Sequence, residues 1–313
     1  SIYSLIKIIK YYFLQFRLRL DNYSNTIVIL IMKRSIRMPY YVGESLSIYY
    51  EVSGDGKPIV FIHGAWISHK LWLSQRDFLV KLGYQVILYD VRGHGKTGPS
   101  KLNYYSIELF AGDLYEFLEG INLQKPVICG LSMGGMIAQC YGAQYPDKIS
   151  ALILCDTAAS TALTLSDKLV KYILAPKWMF TGLVKLFGIK RYTDFVFWFA
   201  KVTKERKWVG QNPEIEAYEK SEMINLSVSE YNKIFSALYD FSLQPIEKIN
   251  VPVLIINGEF ESRLILKHGK FINSIIPQSH IQIINNAGHA SNLENPEAFN
   301  NCIYNFFQKT HIT

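Results

Sequence analysis

The chain has 313 residues, 49% hydrophobic and 19% charged, a globular composition that excludes a disordered or low-complexity protein. Its net charge of +7 is concentrated at one end: residues 1–37 hold seven Lys or Arg against the single acid Asp21, while the other 276 residues carry 26 basic and 25 acidic side chains. The body is near neutral with no basic stripe, so nucleic acid is excluded as a partner.

Residues 1–40 read as a basic N-terminal extension. Its longest apolar run, Ile27 to Met32, is far short of the roughly 20 residues that span a bilayer. No small-residue cleavage site follows, as a secretory signal would require. A basic stretch touching a membrane surface is one reading. The preferred one is an upstream extension with Met38 as the natural start, and no membrane contact is expected.

From residue 45 strand-like and helix-like segments alternate. Leu46 to Val52 alternates apolar and polar, and Gly54-Asp55-Gly56 turns the chain into the apolar run Pro58 to Ile62. A helical pattern over Leu71–Leu82, a strand at Gln85–Tyr89 and a helix over Ser106–Leu118 follow. Then come a strand at Pro126–Cys129, a helix over Met133–Tyr145 and a strand at Ala151–Cys155. Short apolar runs without alternation suit strands buried on both faces of a parallel sheet.

The rhythm breaks over residues 157–246, where helical segments alone are expected. They are rich in aromatics: Trp178, Phe180, Phe187, Phe195, Phe197, Trp198, Phe199, Trp208, Tyr231 and Phe235. Most are expected to pack the segment against itself, with a minority lining a pocket. Strands resume at Val251–Ile256 and Ile281–Ile284, each followed by a helix, Leu264–Ile275 and Pro296–Phe307. The expected fold is α/β: a doubly wound, mostly parallel sheet formed by residues 41–156 and 247–313. Residues 157–246 form a helical cap, or lid, over the strands' carboxyl ends, where such sheets bind ligands.

Cys129, Cys140, Cys155 and Cys302 show no C-x-x-C spacing and read as free thiols of a reducing, cytoplasmic setting. The seven histidines lack metal-ligand spacing, and no metal is expected. Residues 90–98, DVRGHGKTG, mimic nucleotide motifs, but no helix begins close enough behind the glycines to receive a phosphate. The loop reads as a tight turn in which Asp90 and Arg92 bond neighbouring backbone.

CGLSMGGM, residues 129–136, is different. Ser132 follows a buried strand and precedes a helix pattern, the strand-turn-helix setting in which G-x-S-x-G exposes a nucleophile. Gly130 and Gly134 remove side chains that would clash at such a bend. His289, in NNAGHASNLENPEAF after the last strand, supplies a base, with the acid expected between the two in chain order. In FIHGAW the backbone N–H of Ala65 can face the serine; with the N–H of Met133 it would form an oxyanion hole. His63 reads as structural.

FIHGAW, YDVRGHGKTG, GLSMGGMIAQ, VPVLIINGEFE and NNAGHASNLENPEAF, in this order, resemble the lid-bearing α/β-hydrolases that include 3-oxoadipate enol-lactonases and carboxylesterases. The resemblance runs from about residue 41 to residue 308. It implies an acid after the sixth expected strand, Val251–Ile256, where family members usually carry Asp and this chain has Glu261. Asp156 is the rival acid, with a cap or turn role as its alternative. The expected function is a serine hydrolase of small-molecule esters or lactones with an apolar or aromatic portion, acting through an acyl-enzyme without cofactor. An acyltransferase, a perhydrolase, a C–C bond hydrolase and a non-catalytic receptor on the same scaffold are the alternatives.

Overall fold

A computed structural model describes residues 40–43, 46–202, 208 and 212–312, all within the unit Tyr40–Thr313. The basic extension assigned to residues 1–40 thus lies, except for Tyr40, outside the described residues. Eight strands form one sheet: β1 (Tyr40–Val42), β2 (Ser47–Ser53), β3 (Pro58–Ile62), β4 (Gln85–Tyr89), β5 (Val127–Leu131), β6 (Ala151–Cys155), β7 (Val253–Gly258) and β8 (Ser279–Ile284). Their order is β1-β2-β4-β3-β5-β6-β7-β8. β2 runs antiparallel to both β1 and β4, and every other junction is parallel.

The apolar runs lie where their pattern sends them. Every residue of β5, β6 and β7 is buried, and alternate residues face opposite sides of the sheet. Val60, Ile62, Ile128 and Leu154 join one core with helices α2 (Ile107–Gly120) and α3 (Met133–Gln144). Ile59, Phe61, Cys129 and Ile153 join the other, against Leu79 of α1 (Leu73–Lys81) and against Phe299, Ile303 and Phe307 of the C-terminal helix Pro296–Thr310. All four cysteines are free.

Two local features depart from the sequence reading. The edge strand β1 is three residues long and largely exposed, too short to leave a pattern. The helix expected from Leu71 opens instead with a 3-10 turn, His69–Trp72, before α1 begins at Leu73. Arg92 is buried and makes a two-pronged pair with Asp113 of α2, at 2.7 and 2.5 Å. A buried guanidinium requires a full charge partner, and only a carboxylate provides one with this fork geometry. Asp90 behaves as read, accepting the N–H groups of His69 and Lys96, each at 2.8 Å.

Between β6 and β7 the described residues form helices and no strand, chiefly α4 (Lys177–Val202), α5 (Pro213–Ile224) and α6 (Val228–Asp240). Strand β7 is followed by α7 (Arg263–Ile275) and β8 by the C-terminal helix, here α8. The aromatics of α4 depart from their expected interior placement. Trp178 is 75% exposed, and Phe187, Phe195, Trp198 and Phe199 are at least half exposed. Helix α4 kinks at Gly188, where φ is 75°; Val184, Tyr192, Phe197 and Ala200 are buried, while the exposed aromatics, interspersed with Lys185, Lys190, Arg191 and Asp194, have nothing to cover them among the described residues.

Because β3, β5, β6, β7 and β8 run parallel, the residues that follow them share one edge of the sheet. Gly64–Trp66, Ser132, Asp156, Glu261 and His289 are the residues so gathered.

Candidate active site

Ser132 sits between β5 and α3 with φ 54° and ψ −115°, a conformation non-glycine residues rarely hold. The bend is held from both sides. The Ser132 N–H donates to the Cys155 carbonyl at 2.9 Å, and its own carbonyl accepts the Thr157 hydroxyl at 2.7 Å. Two glycines are obligatory around it. A Cβ on Gly130 would lie 2.2 Å from the Gly134 carbonyl oxygen, and one on Gly134 would lie 2.2 Å from that of Ile62. Both contacts are with backbone, which cannot swing away.

His289 reaches this bend from the loop after β8. Its Nε2 lies 3.0 Å from Ser132 Oγ and its Nδ1 lies 2.6 Å from Glu261 Oε2. The Glu261 side chain is fully buried, and its other oxygen accepts the Ser262 N–H at 2.6 Å. The extra methylene of Glu261 is therefore accommodated with both oxygens in use. The backbone N–H of His289 donates to the carbonyl of Trp208 at 3.0 Å, and the two rings are 5.1 Å apart.

Asp156, the rival acid, does not reach the imidazole by hydrogen bond. It is completely buried with φ 45°, accepting the Gly258 N–H at 2.8 Å and the Ser291 hydroxyl at 2.5 Å. It thereby ties the end of β6 to the turn carrying Glu261 and to the loop carrying His289. Burial, reinforced by the Glu261 charge, raises its pKa well above the carboxylate range. Burial alone would lower the His289 imidazole, but Glu261 foremost, then Asp156 and Glu219, hold it up at about 9.

Ala65 lines a cavity beside Ser132, while Met133, the first residue of α3, is buried directly behind it. His63 donates from Nδ1 to the Gly64 carbonyl at 2.7 Å and accepts the Val91 N–H on Nε2 at 3.0 Å. Both ring nitrogens are thus committed to backbone. The cavity, about 180 Å³, is walled largely by apolar groups, among them Trp66, Leu71, Phe197 and Met223. Of the aromatics between β6 and β7, Phe197 and Trp208 line it, and Tyr231 stacks on Trp66 at 4.7 Å.

One ionisable cavity residue escaped the sequence reading. Glu219 of α5 projects into it alongside Ser132 and His289. Burial raises its pKa to about 7, against the opposing pull of His289. The signal was present in the row Ile215, Glu219, Met223: at i, i+4, i+8 a carboxyl interrupts an otherwise buried apolar stripe. No group of three or more metal-ligating side chains occurs among the described residues.

Residues 57–296 match the profile of the alpha/beta hydrolase fold family. The chain is similar to a putative non-heme chloroperoxidase of Synechocystis, 29% identical over 87% of this chain and all of that protein. It is also similar to 3-oxoadipate enol-lactonase 2 of Acinetobacter baylyi, 25% identical over 83% of this chain and 92% of the relative. Among solved structures, the enol-lactonase from Burkholderia xenovorans superposes with a TM-score of 0.73 at 23% identity, over 86% of this chain and 100% of the other. With three-quarters of its length inside the family profile, this chain belongs to the α/β-hydrolase fold family.

Proposed function

We propose that this α/β-hydrolase is a serine hydrolase of small-molecule carboxylic esters or lactones. The observation that carries the reading is the hydrogen-bonded series Glu261–His289–Ser132, at 2.6 and 3.0 Å, opening onto an apolar cavity. Glu261 accepts the Nδ1 proton and so leaves Nε2 free to take the proton of Ser132 as Oγ attacks the carbonyl carbon. The oxyanion is held by the N–H groups of Ala65 and Met133, each such donor being worth roughly 3 kcal/mol where measured. The resulting imidazolium returns its proton to the leaving alcohol, giving an acyl-enzyme. Water, deprotonated by His289, then releases the acid and restores Ser132.

The helices between β6 and β7 act in this reading as the cap, since Val196, Phe197 and Met223 close the cavity over Ser132. The apolar walls favour an apolar acyl or alcohol portion. A perhydrolase would share the acyl-enzyme and differ in taking hydrogen peroxide in place of water; the name of the Synechocystis relative motivates that second reading.

The test is pre-steady-state hydrolysis of a p-nitrophenyl ester. A burst of nitrophenolate stoichiometric with enzyme is expected, and Ser132→Ala should abolish it and lower turnover by roughly 10⁴ or more with the fold intact. Unchanged turnover in that variant would refute the assignment. Partitioning of the acyl group between water and peroxide then separates the two readings.

A further inference from the structure

The acidic residues of α5 are treated unequally. Glu216 is paired with Lys201 and Lys220, at 2.5 and 2.9 Å, and Glu222 with Lys70 at 3.0 Å. Glu219, between them, has no hydrogen-bond or ion-pair partner among the described residues, although it is the one directed into the cavity. A helix packed only for stability would place a leucine or methionine at this point of the Ile215–Met223 row. A half-buried carboxyl facing an apolar cavity without a partner costs free energy that its neighbours on the helix avoid. Convergent polar groups in a largely apolar cavity are what orient a ligand.

From this placement we infer that Glu219 is a specificity residue whose carboxyl hydrogen-bonds a neutral hydroxyl group on the substrate, so that hydroxylated esters or lactones are the preferred class. The inference rests on the serine-hydrolase reading above. Three features favour a neutral hydroxyl over an ammonium group. The walls near Glu219, with Val196, Phe197, Ala200 and Met223, offer nothing to solvate a cation. His289 becomes positively charged during the reaction, and a second cation in the cavity would oppose that step. A carboxyl close to half-protonated at neutral pH can meet a hydroxyl in either form, as acceptor when ionised and as donor when protonated.

The chemistry of acyl transfer is unaltered by this contact. Glu219 fixes how far along the substrate a hydroxyl must sit when the carbonyl carbon lies over Ser132 Oγ. An alkyl substrate of the same length leaves the carboxyl facing a methyl group and forfeits the bond. A hydrogen bond to a group that carries charge part of the time is worth roughly 10- to 100-fold in relative rate.

The experiment compares methyl alkanoates of three to six carbons with their ω-hydroxy and ω-amino counterparts, followed by proton release. It uses the full chain, Glu219→Leu, Glu219→Gln and Ser132→Ala. The expected result is that, at one chain length at least, wild type prefers the hydroxy ester over the methyl-terminated isostere by about tenfold or more in kcat/KM. Glu219→Leu should reverse that preference, read as the ratio of kcat/KM for the hydroxy ester to that for its methyl-terminated isostere, a ratio that a general change in His289 does not move. Glu219→Gln should retain part of it, since an amide both donates and accepts. A wild type that favours methyl-terminated or amino esters at every length overturns the inference. So does a Glu219→Leu variant that lowers all substrates equally. Failure of the parent reading shows differently: Ser132→Ala would then hydrolyse the plain esters normally, whatever the Glu219 ratios.

Discussion

Replacing Glu261 with glutamine tests the candidate triad at the residue where it departs from the family pattern. The substitution preserves shape, so its effect must come from charge and proton placement. One carboxylate oxygen accepts the Ser262 N–H at 2.6 Å, which the amide oxygen of glutamine would keep. The amide nitrogen is thereby turned toward His289 Nδ1, 2.6 Å away in the native pair. A donor there forces Nδ1 to be the acceptor and moves the ring proton to Nε2, the atom that must receive the serine proton. The charge loss is separable from this. His289 is held at about 9 instead of the ordinary 6.5, with Glu261 the principal positive cause. At about 1.36 kcal/mol per pH unit, a net difference of that size corresponds to roughly 3 kcal/mol of imidazolium stabilisation, on the order of 100-fold in rate, with Glu261 its largest source. The wrong tautomer adds to this, and a total drop in kcat approaching ~10⁴ is expected. Glu261→Asp keeps the charge, loses one methylene of reach, and should retain far more activity. The assay is kcat for a p-nitrophenyl ester at several pH values, with circular dichroism as the folding control. A well-folded Glu261→Gln enzyme within tenfold of wild type would refute the reasoning.

Gly134→Ala should be strongly destabilising, because its Cβ would meet the Ile62 carbonyl at 2.2 Å; a cost of about 2–3 kcal/mol, or a Tm lowered by roughly 5–10 °C in a thermal melt, is expected. Asp156→Asn should change kcat less than about tenfold, since the amide can serve both Gly258 and Ser291. Asp156→Ala, by contrast, leaves both donors unmet and should cost roughly 2–4 kcal/mol in chemical denaturation. For pH, the raised His289 value means that neutral imidazole accumulates only as pH climbs, so kcat/KM should rise toward a plateau above about 9. The same group, folded pKa above its unfolded 6.5, contributes stability in full below that value and loses it as pH rises through about 9, so denaturation midpoints should fall across that window. A flat activity profile from pH 6 to 10 would contradict the electrostatic account of His289.

The sheet was legible because strands such as Val127–Leu131 and Ala151–Cys155 are buried on both faces and therefore read as unbroken apolar runs. Ser132 and His289 were legible for a related reason: each follows such a run, and a glycine pattern marks the bend. Arg92 was not, since its partner Asp113 lies 21 residues away on a helix face whose other residues, Phe110, Leu114 and Phe117, advertise only packing. The exposed face of α4 was also invisible. Apolar periodicity states how hydrophobic a helix is, whereas its burial depends on how many neighbours surround it. Glu219 left a trace, a carboxyl within an apolar stripe, but its meaning depended on where α5 sits above the sheet.

The bond from the His289 N–H to the Trp208 carbonyl joins the proton-carrying loop to the chain between α4 and α5, not to the sheet beneath it. A displacement of Trp208 large enough to admit substrate would withdraw that acceptor and the ring that flanks the imidazole. If entry requires that displacement, admission and proton transfer become alternating states of one tether, and re-formation of the bond gates turnover. Such an enzyme should slow as solvent viscosity rises even for an activated ester whose chemistry is fast. Turnover of that ester independent of viscosity would show that the tether stays closed while substrate passes.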